Sequence, residues 1–213
     1  MMDVQFYGAN CVSMNFGNAR VVIDDTLAPM GGKAVTKPGD IVLFTAQSDV
    51  APRSAVKDAK LVVDMPGEYE VSDVSIYGIQ ARGHMDEDKQ KRAVMYKLIA
   101  KDLRVLVCGH VFPKFSETLL EQIGMVDVMI VPVGGGGYTV DPIGAVQLIK
   151  EVEPKLVIPT YYADSSLKFE VPPQSLDQAL QGLGMEPKER TSKLKLKHAD
   201  LPETAQLVVV EKS

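Results

Sequence analysis

The chain has no tryptophan, only two cysteines and no long apolar run among its 213 residues. Cys11 and Cys108 are too few for a disulfide scaffold, and two free thiols fit a reducing compartment. The N-terminal residues lack the basic and apolar regions of a signal peptide, and no apolar run approaches the length that crosses a bilayer. We therefore expect a cytoplasmic protein that does not enter a membrane.

Positive charge is also in short supply, because 23 Lys and Arg stand against 28 Asp and Glu, for a formal net charge of −5. No segment carries a basic stripe, which argues against nucleic acid and against an anionic membrane as partners. A chain of 213 residues with 46% hydrophobic content is long enough for one sizeable core and short for two. We predict a single domain over residues 1–213.

Short apolar runs separated by turn residues dominate the first half of the chain and predict strands, whereas strands alternate with helices in the second half. The strands predicted in the first half are Val4–Tyr7, Cys11–Phe16, Arg20–Asp24, Ile41–Thr45, Leu61–Asp64, Tyr69–Val71, Val74–Ile79, Val94–Ala100 and Arg104–Cys108. Those of the second half are Val126–Val133, Leu156–Pro159 and Leu207–Glu211, with helices at Ser116–Ile123, Asp141–Val152 and Ser175–Gly182. Continuous apolar strands of this kind should be covered on both faces, which favours sheets between helical layers.

Local signals support some of these elements. Asp141 before Pro142 predicts an N-cap followed by proline at the first helical position, and Ser175 with Gln178 predicts a capping box. The run from Asp86 to Arg92 mixes acidic and basic residues, and it predicts a solvated loop.

Four segments together resemble one known family. Phe6-Tyr7-Gly8, Pro66-Gly67-Glu68-Tyr69-Glu70, Val131-Pro132-Val133-Gly134-Gly135 and Ile158-Pro159-Thr160-Tyr161-Tyr162 follow the order and spacing found in the metallo-β-lactamase-fold superfamily. The resemblance covers nearly the whole chain. It implies an α/β fold, a four-layer αβ/βα sandwich, with the segments that carry the site gathered at one edge of two facing sheets.

The metal ligands that the resemblance implies are mostly replaced. In relatives the strand after the first large loop ends in Thr-His-x-His-x-Asp-His, and the matching stretch of this chain begins with Thr45-Ala46-Gln47-Ser48-Asp49-Val50. The Gly-His pair of the family appears as Gly8-Ala9, the Gly-Asp pair as Gly109-His110, and the last histidine as Tyr161. A further histidine survives as His84, shifted by about one residue.

A catalytic metal typically needs three protein donors and an open position, and alanine and valine offer no donor. We therefore predict a protein that keeps the scaffold, binds no metal and is not an enzyme, with an unknown small molecule or protein as its partner. The relic pocket predicted from the resemblance consists of Thr45, Gln47, Ser48, Asp49, His84, His110 and Tyr161.

Two enzymatic alternatives stay open at the level of sequence. Asp49, His84 and His110 offer two imidazoles and one carboxylate, a set that holds one zinc-like divalent ion in a mononuclear hydrolase. Alternatively, Cys11 follows the position of the lost Gly-His pair, and it becomes a nucleophile if His110 serves as its base.

Overall fold

A computed structural model describes residues 1–46 and 56–213. Fourteen strands, three α-helices and two 3-10 helices form in these ranges. The strands are β1 Met2–Gly8, β2 Cys11–Phe16, β3 Ala19–Ile23, β4 Ile41–Leu43, β5 Leu61–Val63, β6 Gly67–Val71, β7 Val74–Ala81, β8 Ala93–Ala100, β9 Leu103–Val107, β10 Val128–Pro132, β11 Leu156–Thr160, β12 Pro187–Thr191, β13 Leu194–Leu196 and β14 Gln206–Val210. The helices are α1 Glu117–Ile123, α2 Pro142–Val152 and α3 Leu176–Leu183, and the 3-10 helices are Ala28–Met30 and His198–Asp200.

Two sheets face each other. One has six strands in the order β13-β1-β2-β3-β4-β5, and the other has eight in the order β12-β14-β11-β10-β9-β8-β7-β6. The neighbours β3, β4 and β5 are parallel in the first sheet, as are β9, β10, β11 and β14 in the second. Parallel strands bring their carboxyl ends to one edge, so the loops after them lie close together.

The main core lies between the sheets and is built from alternate strand positions. Val74 and Ile76 on β7 are fully buried there, as the period-2 pattern of their strand predicts. Tyr96 on β8 is also fully buried, and its hydroxyl donates to the carbonyl oxygens of Phe44 at 2.9 Å and Val63 at 3.1 Å. Because these carbonyls belong to the opposite sheet, this phenol ties the two sheets together.

A second core joins the three helices to the outer face of the eight-stranded sheet. The caps of two helices agree with the sequence signals, since the side chain of Asp141 accepts from the backbone N–H of Gly144 at 2.7 Å. Ser175 and Gln178 form the expected capping box at the start of α3. No helix in the described ranges has the length and apolar character needed to cross a bilayer.

The outer face of the six-stranded sheet is covered differently. Small clusters there contain Cys11, Val22, Leu27 and Leu167 in one group and Val42, Phe44 and Val56 in another. The 3-10 helix Ala28–Met30 contributes to the first of these clusters through Met30. All three α-helices of the described ranges therefore pack on the other sheet.

Two features differ from the sequence-based expectations. The edge strands β12 and β13 were not predicted, because a charged strand such as Pro187–Thr191 lacks the apolar alternation that identifies strands. The loop from Asp86 to Arg92 is anchored rather than simply solvated. Asp86 is only 7% exposed, and its carboxylate accepts from the backbone N–H groups of Gly83 and Arg92, each at 2.7 Å.

Candidate functional site

The residues of the candidate site come from the ends of parallel strands in both sheets. Asp24 directly follows β3, Thr45 lies two residues after β4, His110 follows β9 and Tyr161 follows β11. Because the carboxyl ends of these strands share one edge, residues far apart in sequence meet there.

The contact between Thr45 and His110 carries the geometry of the site. The hydroxyl oxygen of Thr45 lies 2.9 Å from Nδ1 of His110, and the same hydroxyl donates to Oδ2 of Asp24. The backbone N–H of Thr45 donates to the other oxygen of Asp24, Oδ1, at 2.7 Å. Thr45 therefore connects the imidazole to a carboxylate that is only 3% exposed.

The far side of the imidazole faces a second polar pair. Nδ2 of Asn10 lies 3.4 Å from Nε2 of His110. The hydroxyl of Thr160 donates to Oδ1 of Asn10 at 3.1 Å, and both Asn10 and Thr160 are buried. The hydrogen-bond network of the site thus runs Thr160, Asn10, His110, Thr45, Asp24, and it engages both ring nitrogens of His110.

Asp24 is the most deeply buried titratable group of the network. Burial raises the pKa of its carboxyl group, while His110 and the hydrogen bonds from Thr45 act in the opposite direction. Asp24, Asn10 and Thr160 were not among the residues singled out from the sequence. A signal was present for Asp24, since a polar residue directly after the apolar strand Ala19–Ile23 marks a strand end at the site edge.

Tyr161 joins the site through packing. Its ring stands edge-on to His110 with centroids 6.3 Å apart, and it packs in the same way on Phe169 at 5.5 Å. Its backbone has a φ of 53°, and its N–H donates to the carbonyl oxygen of Ala9 at 2.7 Å. The sequence also predicts that Asp49, His110 and Tyr161 form one hydrogen-bonded cluster, of which Asp49 lies outside the described residues. Among the described residues, the nitrogens of His110 instead meet Thr45 and Asn10.

A cleft of about 270 Å³ opens beside His110. Its described lining consists of Ala46, Gly83, His84, Met85, Asp86, Arg92, Ala93, His110 and Tyr138. The structure therefore brings Thr45, His84, His110 and Tyr161 to one region, as the resemblance implies. Gln47, Ser48 and Asp49, the other members of the predicted relic pocket, lie outside the described residues, as does Val50.

His84 is held next to His110 by the backbone, because its N–H donates to the carbonyl oxygen of His110 at 2.7 Å. Its Nδ1 is buried and has no hydrogen-bond partner in the described part of the chain. Burial lowers the pKa of the His84 imidazole, Asp141 acts to raise it, and His110 lowers it further. An uncharged ring with an unmet nitrogen therefore forms part of the cleft wall.

The donors near the cleft do not fit a metal ion within the ranges that the structure describes. No group of three or more His, Cys, Asp or Glu side chains is placed there to hold one. Asp86 is occupied by Arg92, whose Nε donates to Oδ1 at 2.8 Å, and both nitrogens of His110 face Asn10 and Thr45. A set made of Asp49, His84 and His110 stays a prediction, because Asp49 is outside these ranges.

Cys11 does not have the surroundings of an activated nucleophile. Its side chain is fully buried in the small cluster with Leu27 and Leu167. Burial raises the pKa of its thiol well above the ordinary value, and the carboxylates of Asp25 and Asp24 raise it further. A thiol in this environment stays protonated at neutral pH, and thiolate chemistry needs the opposite shift.

Comparison with known proteins agrees with this architecture. A family model described as a β-lactamase superfamily domain matches residues 3–161. The chain belongs to the β-lactamase superfamily. Among curated protein sequences, none matches this chain.

Several solved structures share the fold. A proposed Zn-dependent hydrolase of the metallo-β-lactamase superfamily from Thermotoga maritima is 23% identical with a TM-score of 0.73, over 98% of each chain. A proposed metal-dependent hydrolase from Parabacteroides distasonis is 15% identical with a TM-score of 0.64, over 96% of this chain and 91% of that one. The metallo-β-lactamase fold protein YhfI from Bacillus subtilis is 9% identical with a TM-score of 0.58, over 98% and 96%. The metallo-β-lactamase fold predicted from the sequence, with its two facing sheets, is confirmed.

Proposed function

We propose that this member of the superfamily is catalytically degenerate and works by binding a small molecule in the cleft beside His110. The observation that carries the proposal is the hydrogen-bond network of the site. In this network both ring nitrogens of His110, which stands at a family ligand position as the resemblance aligns it, face side-chain partners.

The chemistry of the replacements supports a site without metal. A carboxylate bridges two cations through its two oxygens, whereas a neutral imidazole offers one lone pair. His110, which stands where relatives carry a bridging aspartate, faces Asn10 with one nitrogen and Thr45 with the other. Binding a metal through Nδ1 of His110 would break the 2.9 Å contact with Thr45, which is the shorter of the two.

The cleft itself supports a small-molecule ligand. A volume of about 270 Å³ lies near the lower end of the range for small-molecule sites, roughly 300–1,000 Å³. Its walls combine the small apolar side chains Ala46 and Ala93 with polar groups from two imidazoles. Such a composition is typical of ligand sites, in which a few polar groups orient a mostly apolar molecule.

A hydrolase with one metal is the second candidate, and one observation favours it. Nδ1 of His84 has no partner in the described ranges, and His84 lies beside His110. Buried polar atoms without partners are rare and require an explanation, and a metal ion is one of the possible explanations. This candidate needs Asp49 as the third donor.

Elemental analysis separates the two candidates. The protein is purified without chelator, its zinc, iron and manganese are counted per chain, and it is assayed with a chromogenic ester and a phosphodiester. We expect well below one ion per chain and no hydrolysis above a chelator-treated control. A stoichiometric metal together with hydrolysis that the chelator abolishes would establish the hydrolase instead.

A cytoplasmic location goes with this proposal. Both cysteines are free and buried in the structure, and free thiols are typical of a reducing compartment. Protein unfolded and alkylated directly should therefore take up the same number of labels as protein that is first treated with reductant. A difference of two labels would show a disulfide and contradict this location.

A further inference from the structure

We propose that Asp24, acting through Thr45, holds His110 as the tautomer with its proton on Nδ1, so that Nε2 accepts a hydrogen bond from a small uncharged ligand carrying an N–H or O–H group. Asp24 is a positioning residue in this arrangement, because it acts on the ligand only through the other two. The ligand half of the proposal rests on the proposed function, whereas the tautomer half concerns the protein alone.

The hydrogen bonds of Asp24 determine which atom donates in the contact between Thr45 and His110. A carboxylate only accepts hydrogen bonds, and both oxygens of Asp24 face Thr45, one at its backbone N–H and one at its hydroxyl. The hydroxyl of Thr45 therefore directs its proton towards Asp24. The same hydroxyl presents a lone pair to Nδ1 of His110, 2.9 Å away. The ring nitrogen must be the donor in that contact, which places the imidazole proton on Nδ1.

The hydrogen bonds of Asn10, at the other ring nitrogen of His110, indicate the same tautomer independently of Asp24. The hydroxyl of Thr160 donates to Oδ1 of Asn10, so the amide presents its N–H groups to Nε2 of His110. Nε2 must then be the acceptor, as it is in the tautomer protonated on Nδ1. The tautomer with its proton on Nε2 requires a protonated Asp24 and an Asn10 amide whose oxygen and nitrogen have exchanged places.

Nε2 remains available to a ligand because its contact with Asn10 is long. A distance of 3.4 Å exceeds the roughly 2.7–3.2 Å of a well-formed hydrogen bond. The side chain of His110 is 30% exposed and lines the cleft. A ligand N–H or O–H that reaches Nε2 would compete only with this weak internal partner.

The rest of the described cleft wall favours an uncharged ligand. Ala46, Met85 and Ala93 contribute apolar surface. The charge of Arg92 is matched by Asp86, with Nε 2.8 Å from the carboxylate. These parts of the wall favour a compact, largely apolar ligand, and Nε2 of His110 favours a donor group on it.

The tautomer is measured directly by the ¹⁵N chemical shifts of the His110 ring at neutral pH. We expect Nδ1 to be protonated and Nε2 to carry the lone pair. Asp24→Asn should reverse them, because the new amide donates to the Thr45 hydroxyl, which then donates to Nδ1. Asp102→Asn, at an exposed turn with a side chain 70% exposed, is the control and should leave the shifts unchanged. Protonation on Nε2 in the unmodified protein would overturn the proposal.

The ligand class is measured with indole and benzofuran, two bicyclic molecules of the same shape that differ in an N–H group. Indole should bind about tenfold more tightly, the factor that corresponds to about 1.4 kcal/mol. Thr45→Val removes the shorter of the two contacts that set the tautomer and should reduce that preference, and Thr45→Ser should restore it. Equal affinities of the two probes for the unmodified protein would overturn the ligand half.

The two failures are distinguishable. A metal-loaded, hydrolytic protein with the expected ¹⁵N shifts would end the proposed function and with it the ligand half, and it would leave the tautomer assignment standing. A metal-free, inactive protein that does not discriminate indole from benzofuran would end only the ligand half.

Discussion

The buried carboxylate of Asp24 depends on hydrogen-bond donors from a neighbouring residue, Thr45. A buried carboxylate is costly unless donors surround it, and Thr45 supplies two of them, the backbone N–H and the side-chain hydroxyl. Thr45 can reach Asp24 and His110 together because the backbone of Gly109 passes very close to it. A Cβ built on Gly109 would lie 2.2 Å from both Cβ and Oγ1 of Thr45.

Gly109→Ala tests this close approach. We expect the free energy of unfolding to fall by about 1–3 kcal/mol more than in the control variant, the cost of overpacking a tight contact. The control is Gly17→Ala. Its backbone has a similar φ, 63° against 58°, but a Cβ there meets nothing within 4 Å. Both variants carry the same left-handed backbone cost, so their difference in urea denaturation reports the contact with Thr45. Equal losses would contradict the close approach.

At the scale of elements, the parallel strands that carry the site are fixed to each other by an ion pair. Arg104 on β9 donates to Asp127, just before β10, through its backbone N–H and through two guanidinium nitrogens at 2.8 Å. The side chain of Asp127 is 1% exposed. Because His110 follows β9, the Arg104–Asp127 ion pair stabilises the strand that positions the imidazole.

Asp127→Asn should weaken the protein in a pH-dependent way. Burial acts to raise the pKa of the Asp127 carboxyl, but the hydrogen bonds and charge of Arg104 lower it below the ordinary 3.8. A lowered pKa means that the unfolded chain binds a proton first as the pH falls. The stabilisation is therefore complete above the unfolded pKa and is lost below it.

We expect Asp127→Asn to cost about 1.5–3 kcal/mol of unfolding free energy near pH 7, and distinctly less near pH 3. Urea denaturation at both pH values measures this. Asp177→Asn, whose side chain is 86% exposed in its pair with Arg190, should change little at either pH. A cost that is the same at both pH values would contradict the role given to the charge of Asp127.

The sequence predicted elements well where local signals were strong. The N-cap at Asp141 and the capping box at Ser175 located the starts of α2 and α3 because these signals act within one helical turn. The strand β12 was not predictable in this way. Its residues are mostly exposed at a sheet edge, where pairing with β14 replaces apolar burial as the reason to be a strand.

For the whole molecule, the fold was predictable from the sequence and the arrangement of the site was only partly so. The family motifs place His110 and Tyr161 at one edge, because strand order fixes where loops meet. Two residues of the network that contact His110 or lie beside it, Asn10 and Asp24, come from two further segments, whereas Thr160 directly precedes Tyr161. No local pattern links these segments, so the network became visible only in three dimensions.

We propose that side chains, and not a metal, complete the site of this fold. Thermal denaturation of the unmodified protein with chelator and with added zinc tests it most directly, because a ligand that binds the folded state raises the melting temperature by mass action. We expect the same melting temperature under both conditions. A large, saturable rise with stoichiometric zinc would show that a metal site has survived and that the protein is not metal-free.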